Sequence, residues 1–203
     1  PLRVPVHYTG FVAPPAPAPV TEVLPRLVVS SGGGMVGEPL VRAAVEVHRD
    51  LFIRTGLCTT VVAGPFLPDP VWAWLCDQAT RSPVLEAVRR VDDLAGEIAR
   101  SALSLSQGGY NTTMDLLRAG TPAVVVPFAD GGENEQTVRT ARLARLGALR
   151  MVPATALGDR ERLLAALVAT AAAEPAPVRL DLSGAERTAR ILADVPTALE
   201  AVR

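Results

Sequence analysis

Two glycines, Gly108 and Gly109, stand just before Asn111-Thr112-Thr113, and Asp115 follows at once. Glycines let a bulky ligand come close to the backbone. Asn and Thr are residues that open and cap helices, so the spacing predicts a helix starting at Asn111 or Thr112. Unpaired N–H groups and the helix dipole favour an anion at such a start, and a phosphate is the obvious candidate. Asp115 lies about one turn further on. A carboxylate there suits a ribose diol. Farther along, Glu135 and Gln136 follow a glycine-bearing loop. An acid beside an amide offers both acceptors and donors, a good pair for sugar hydroxyls.

Something must hold these residues in place. Ala102–Ser106 and Ala123–Phe128 are short apolar runs, as expected of central parallel strands buried on both faces. Leu27–Ser31, Thr59–Ala63, Val84–Val91 and Leu149–Val152 read as the other strands. Helices are predicted over Glu38–Arg54, Asp69–Thr80, Leu94–Arg100, Thr137–Leu146, Asp159–Ala173 and from Ser183 onward, with a kink or restart at Pro196. Arg139, Arg142 and Arg145 recur every third residue and read as a solvated face, with one Arg of the three able to touch a phosphate. The alternation argues an α/β domain with a parallel sheet of six strands and helices on both faces. Ligands of such sheets bind at the carboxyl ends of the strands, where strand order reverses. The turns after Leu27–Ser31 and Ala102–Ser106 should then face one crevice.

Gly32-Gly33-Gly34-Met35-Val36-Gly37 fits the dinucleotide pattern G-x-G-x-x-G. The acid that should end the next strand is missing, since that strand runs into Ala63-Gly64-Pro65-Phe66. A loop facing phosphates or an acceptor across a cleft, and a purely structural turn, are the competing readings. Trp72 and Trp74 point to different faces of their helix. His7 and His48 have no Ser or Cys partner at triad-like spacing and read as solvent or core histidines. Asp92-Asp93 read as helix caps.

Gly109-Tyr110-Asn111-Thr112-Thr113-Met114-Asp115, Ala119-Gly120-Thr121-Pro122, the strand ending at Pro127, and Glu135-Gln136 together resemble the donor signature of GT-B glycosyltransferases. The families concerned include the peptidoglycan GlcNAc transferase and the UDP-sugar transferases. The resemblance covers roughly residues 8–203 and implies the C-terminal half of such an enzyme, a Rossmann-like domain. Tyr8–Val12 resembles the family's interdomain crossing. The implied donor is a nucleotide sugar, UDP-linked, used without metal or cofactor in an inverting hexosyl transfer. Gly33, Gly34, Gln107, Gly108, Gly109, Asn111, Thr112 and Thr113 would meet the phosphates. The Val91 backbone would meet the base, Asp115 the ribose, and Glu135 with Gln136 the sugar. Two departures stand out. The family's helix acid is Glu where this chain has Asp115, and many members have His where this chain has Gln107. No catalytic base falls within this half, because the family keeps it in an N-terminal acceptor domain, implied here as a partner in the same chain or a separate subunit. Half of an epimerase or hydrolase, or a non-catalytic module of the same fold, are the alternatives.

Composition narrows the classes further. The chain has 203 residues and a net charge of −1, which gives no support to nucleic-acid binding. All twenty of its basic residues are Arg. Cys58 and Cys76 lack metal or redox spacing, so a reducing cytoplasm is expected and a zinc site is not. No segment has the length and apolarity of a membrane span or a signal peptide, and the inner membrane face would be reached through the acceptor domain. Residues 1–26 are proline-rich and read as a stiff linker or arm before a domain at 27–203. The Pro at position 1 suggests a piece of something larger.

Overall fold

The structure is a computed structural model that describes residues 6–128, 134–173 and 180–200, with side chains to residue 194. The glycine-bearing loop before Asn134 and the Pro-containing loop after residue 173 lie outside the described residues. The chain divides into two units, 1–15 with 179–203, and 16–178.

The larger unit alternates strand and helix: β1 Leu24–Ser30, α1 Glu38–Thr55, β2 Cys58–Val62, α2 Asp69–Thr80, β3 Leu85–Val88, α3 Leu94–Ala99, β4 Ser101–Gln107, α4 Tyr110–Ala119, β5 Ala123–Val126, α5 Glu135–Arg145, β6 Arg150–Met151 and α6 Arg160–Ala171. The six strands form one sheet in the order β3-β2-β1-β4-β5-β6, parallel throughout. This is a Rossmann-like α/β sheet with its order reversing between β1 and β4. Ser30 pairs with Ser106 there, so the carboxyl ends of β1 and β4 lie side by side.

Alternation decides which face each strand residue serves. Leu27, Val29, Leu103, Leu105, Val124 and Val126 join a core cluster with residues of α1, α2 and α6. Their neighbours Val28, Ser104, Ser106 and Val125 are equally buried on the opposite face. Two serines are tolerated there because their hydroxyls bond each other at 2.9 Å. The outer strands are shorter than their apolar runs: β3 keeps four residues of Val84–Val91 and β6 two of Leu149–Val152. Trp74 lies beneath the Arg42 guanidinium, 4.4 Å from its ring centre, and Trp72 beneath Arg89 at 5.3 Å. Both indoles therefore pack locally as cation–π partners.

In the smaller unit, Val12 and Ser183 form an antiparallel bridge. Phe11 N–H donates to the Asp181 carbonyl at 3.1 Å, and Gly184 N–H donates to the Phe11 carbonyl at 2.9 Å. A Cβ on Gly184 would sit 2.7 Å from the Gly10 and Phe11 carbonyl oxygens, so only glycine lets the strands meet. Helix α7 follows, Gly184–Glu200, and it continues through Pro196 without a restart.

His48 is a core histidine of α1. Its Nδ1 faces the Val45 carbonyl, so Nδ1 carries the proton, and Nε2 accepts from Ser82 Oγ at 2.8 Å. Burial lowers its pKa below the ordinary value, the Val45 bond opposes this, and the Arg49 charge adds to it. The unfolded chain therefore takes up a proton near pH 6.5 before the folded chain does. Stability should fall as pH drops below that point and through the lower folded pKa. Urea midpoints measured from pH 7.5 to pH 5 should decline for the native chain and decline less for His48→Gln. Parallel curves would contradict this account.

Candidate functional site

The reversal between β1 and β4 brings two loops to one crevice. The β1–α1 loop carries the glycine triplet, and the β4–α4 turn carries Gln107, Gly108 and Gly109. β5 ends beside β4, with Val126 paired to Gln107, which adds the amino end of α5.

The triplet is built by packing. Gly34 has φ 91, and a Cβ on it would lie 2.6 Å from the Ala63 carbonyl oxygen. Its N–H is already donated to the Ser31 carbonyl at 3.2 Å. The facing loop is glycine for the same reason: a Cβ on Gly64 would lie 2.5 Å from the Gly32 carbonyl oxygen. The Gly33 carbonyl accepts from Phe66 N–H at 2.9 Å, while a Cβ at Gly33 would touch only the Phe66 ring, at 3.5 Å. Gly34 is thus accounted for as a structural turn, and Gly33 is the member of the pair with room around it.

The helix after Gly109 begins at Tyr110, earlier than the Asn111 or Thr112 read from sequence. Gly109 occupies the cap position in extended geometry, with no side chain capping it. Thr113 is instead a buried residue whose hydroxyl and N–H both donate to the Gly109 carbonyl, at 2.7 and 2.9 Å. The amides of Asn111 and Thr112 come before this first intrahelical bond and have no partner inside the helix. Asn111 is exposed and Thr112 is buried. The amino end of α4 lies directly after the carboxyl end of β4.

Gly108 is wedged in place. A Cβ there would lie 3.0 Å from Thr140 Oγ1, 3.2 Å from Pro127 Cα and 3.3 Å from Gln136 Oε1. Gln136 spends that oxygen on Phe128 N–H at 3.0 Å, so it fixes the end of the β5 segment and keeps its amide donors. Glu135 is exposed and pairs with Arg139 one turn along.

Arg139 departs from the face that Arg142 and Arg145 share. It does not belong to a solvated face with Arg142 and Arg145, since only 10% of its side chain is exposed. Its Nη2 donates to the Gly108 carbonyl at 2.7 Å, and its guanidinium lies 5.5 Å from the centre of the Tyr110 ring. Burial lowers its pKa from the usual arginine value. The contact spans thirty-one positions of sequence, so no local spacing could reveal it.

Val91 lies after β3, and its peptide groups bond to no described residue. Beside it Asp93 caps α3, accepting from Gly96 N–H at 2.8 Å, and Asp92 pairs with Arg90. Asp115 is half-buried on α4, and its pKa is raised by burial and then by the Asp93 charge. Among the described residues, no group of three His, Cys, Asp or Glu side chains is placed to share a metal ion.

The profile of the glycosyltransferase family 28 C-terminal domain matches residues 73–181, more than half of the chain. The chain belongs to that family and corresponds to its C-terminal, GT-B-type domain. A UDP-N-acetylglucosamine–N-acetylmuramyl-(pentapeptide) pyrophosphoryl-undecaprenol N-acetylglucosamine transferase of Rhodospirillum centenum is 30% identical over 169 residues, which cover 81% of this chain and 43% of the relative. The chain thus spans less than half the length of that relative. Two solved structures share the fold. The calicheamicin glycosyltransferase has TM-score 0.55 at 21% identity, over 92% of this chain and 42% of its own. The UDP-GlcNAc 2-epimerase of Methanocaldococcus jannaschii has TM-score 0.60 at 15% identity, over 84% of this chain and 46% of its own.

The raised carboxyl of Asp115 sets a sign. A folded pKa above the unfolded one, near 3.9, costs stability at neutral pH and returns it as pH falls. Asp115→Asn should therefore unfold at higher urea than the native chain at pH 7, with the gap closing toward pH 4. A less stable variant at pH 7 would show that the carboxylate has a structural partner.

Proposed function

We propose that this chain is the donor-binding half of a family 28 glycosyltransferase, taking a UDP-linked sugar whose hexosyl group passes to an acceptor held by a second, N-terminal domain. The observation that carries the reading is the amino end of α4, which follows directly on β4 beside the Ser30–Ser106 pair and leaves the Asn111 and Thr112 amides without partners inside the helix. Negative charge builds on a diphosphate as the glycosidic bond breaks, and preorganised donors stabilise it best. Gly33, Gln107, Gly109, Asn111 and Thr112 surround the phosphates in this assignment, while Gly108, whose N–H is donated to the Val126 carbonyl at 3.1 Å, lines the turn beside them. Thr113 acts through the helix start that its hydroxyl braces. The free peptide edge of Val91 reads the base and Asp115 takes the ribose hydroxyls. Glu135 and the Gln136 amide hold the sugar. No step of the reading requires a metal, and transfer with inversion follows from a single displacement.

The Rhodospirillum centenum relative is named for UDP-N-acetylglucosamine and a lipid-linked acceptor, which supports UDP as the nucleotide. No helix among the described residues is long and apolar enough to cross a membrane. The proposed setting is the cytoplasm, with any approach to the inner membrane face made through the acceptor domain. An epimerase or hydrolase would need further acids or histidines at the crevice. His48, however, is enclosed with Val45 and Ser82.

Calorimetry with UDP, dTDP and GDP tests the reading. UDP should bind, and Asp115→Ala should weaken it by roughly tenfold to a hundredfold, the worth of hydrogen bonds to a charged group. The chain alone should transfer no sugar. Absence of nucleotide binding at millimolar concentration, or turnover by the isolated chain, would overturn the proposal.

A further inference from the structure

We infer that Arg139 is the cation of the diphosphate subsite, held in reserve by Glu135 until the donor's sugar draws that carboxylate away. The inference rests on the donor-binding reading and adds a residue, a charge and an order of events to it.

Amides alone leave the subsite short of charge. The amino end of a helix is equivalent to about half a positive charge. Each phosphate of a sugar diphosphate carries a full negative one. Gln107, at the carboxyl end of β4, has no charge to contribute. Arg139 is the cation that the fold has placed at this turn. Its Nη2 holds the Gly108 carbonyl at 2.7 Å and its guanidinium sits against Tyr110, so it touches the residues on both sides of Gly109. A trans peptide sets a carbonyl and the following N–H on opposite sides. Fixing the Gly108 oxygen therefore also fixes the direction of the Gly109 N–H.

The arrangement is costly without a ligand. The side chain is nine-tenths buried, and among the described residues neither its buried Nε nor Thr140 Oγ1 beside the same turn has a partner. Burying a guanidinium is unfavourable unless charge and hydrogen bonds compensate. Its acid partner is Glu135, whose side chain is 67% exposed. That carboxylate is poorly placed to neutralise a buried charge, and it is free to turn toward solvent or a sugar hydroxyl. Once it leaves, the guanidinium faces the phosphates in a site of low dielectric, where charge-assisted hydrogen bonds are strongest. Sugar engagement and charge delivery are then one event.

The test is calorimetry of the full chain with UDP and with uridine, for the native protein, Arg139→Gln, Arg139→Lys and Glu135→Gln. Arg139→Gln should weaken UDP by about 10- to 100-fold and leave uridine unchanged. Arg139→Lys should recover part of the loss, as a point charge without the planar fork. Glu135→Gln should tighten UDP, since it frees the guanidinium in the absence of a sugar. The dependence of UDP affinity on salt should be shallower in Arg139→Gln than in the native chain. Equal loss of UDP and uridine in Arg139→Gln would make the residue a structural brace and overturn the inference. So would unchanged UDP binding in that variant, or weaker UDP binding in Glu135→Gln. A native chain that binds neither ligand would overturn the donor-binding reading, and this inference with it.

Discussion

The structure depends on backbone N–H groups that a helix cannot satisfy by itself. The first turn of α4 leaves the Asn111 and Thr112 amides without intrahelical partners. A parallel sheet brings that turn to its carboxyl edge, and the change of strand order between β1 and β4 opens a crevice beside it. Each neighbouring feature then answers to the same need. Gly108 keeps side chains out of a gap bounded by Thr140, Pro127 and Gln136, and Gly109 caps the helix without a side chain of its own. The central strands are buried on both faces, so the crevice rests on a rigid floor.

The glycine triplet of the first loop shows a different use of the same residue. Gly34 and Gly64 let two loops come within contact distance of each other's carbonyls, with positive φ at both. A motif shared with dinucleotide-binding proteins here serves loop-on-loop packing. Pattern alone cannot separate the two uses, because both require small residues at the same spacing. In this chain the Gly34 N–H is donated to the Ser31 carbonyl.

Much of the fold was legible because its causes are local. Asp69–Thr80 starts beside a proline, and its sequence pattern and its structure share the same bounds. The central strands were legible because burial on both faces makes them continuous apolar runs. Legibility failed where long-range contacts decide. A threefold repeat of arginines reads as one exposed face, yet Arg139 turns inward to a carbonyl thirty-one residues upstream. Asn-Thr-Thr reads as a set of caps, yet the helix starts at Tyr110 and Thr113 faces inward. Pro196 reads as a break, yet α7 carries through it. The outer strands shrank because pairing with one neighbour supports fewer residues than pairing with two.

The Gly109, Asn111 and Thr112 amides can be observed directly. In an amide nitrogen–proton NMR titration of the labelled chain with UDP, the largest shift changes should fall on Gly109, Asn111 and Thr112. Saturating UDP that leaves those three signals in place, while moving others or none, would contradict the account.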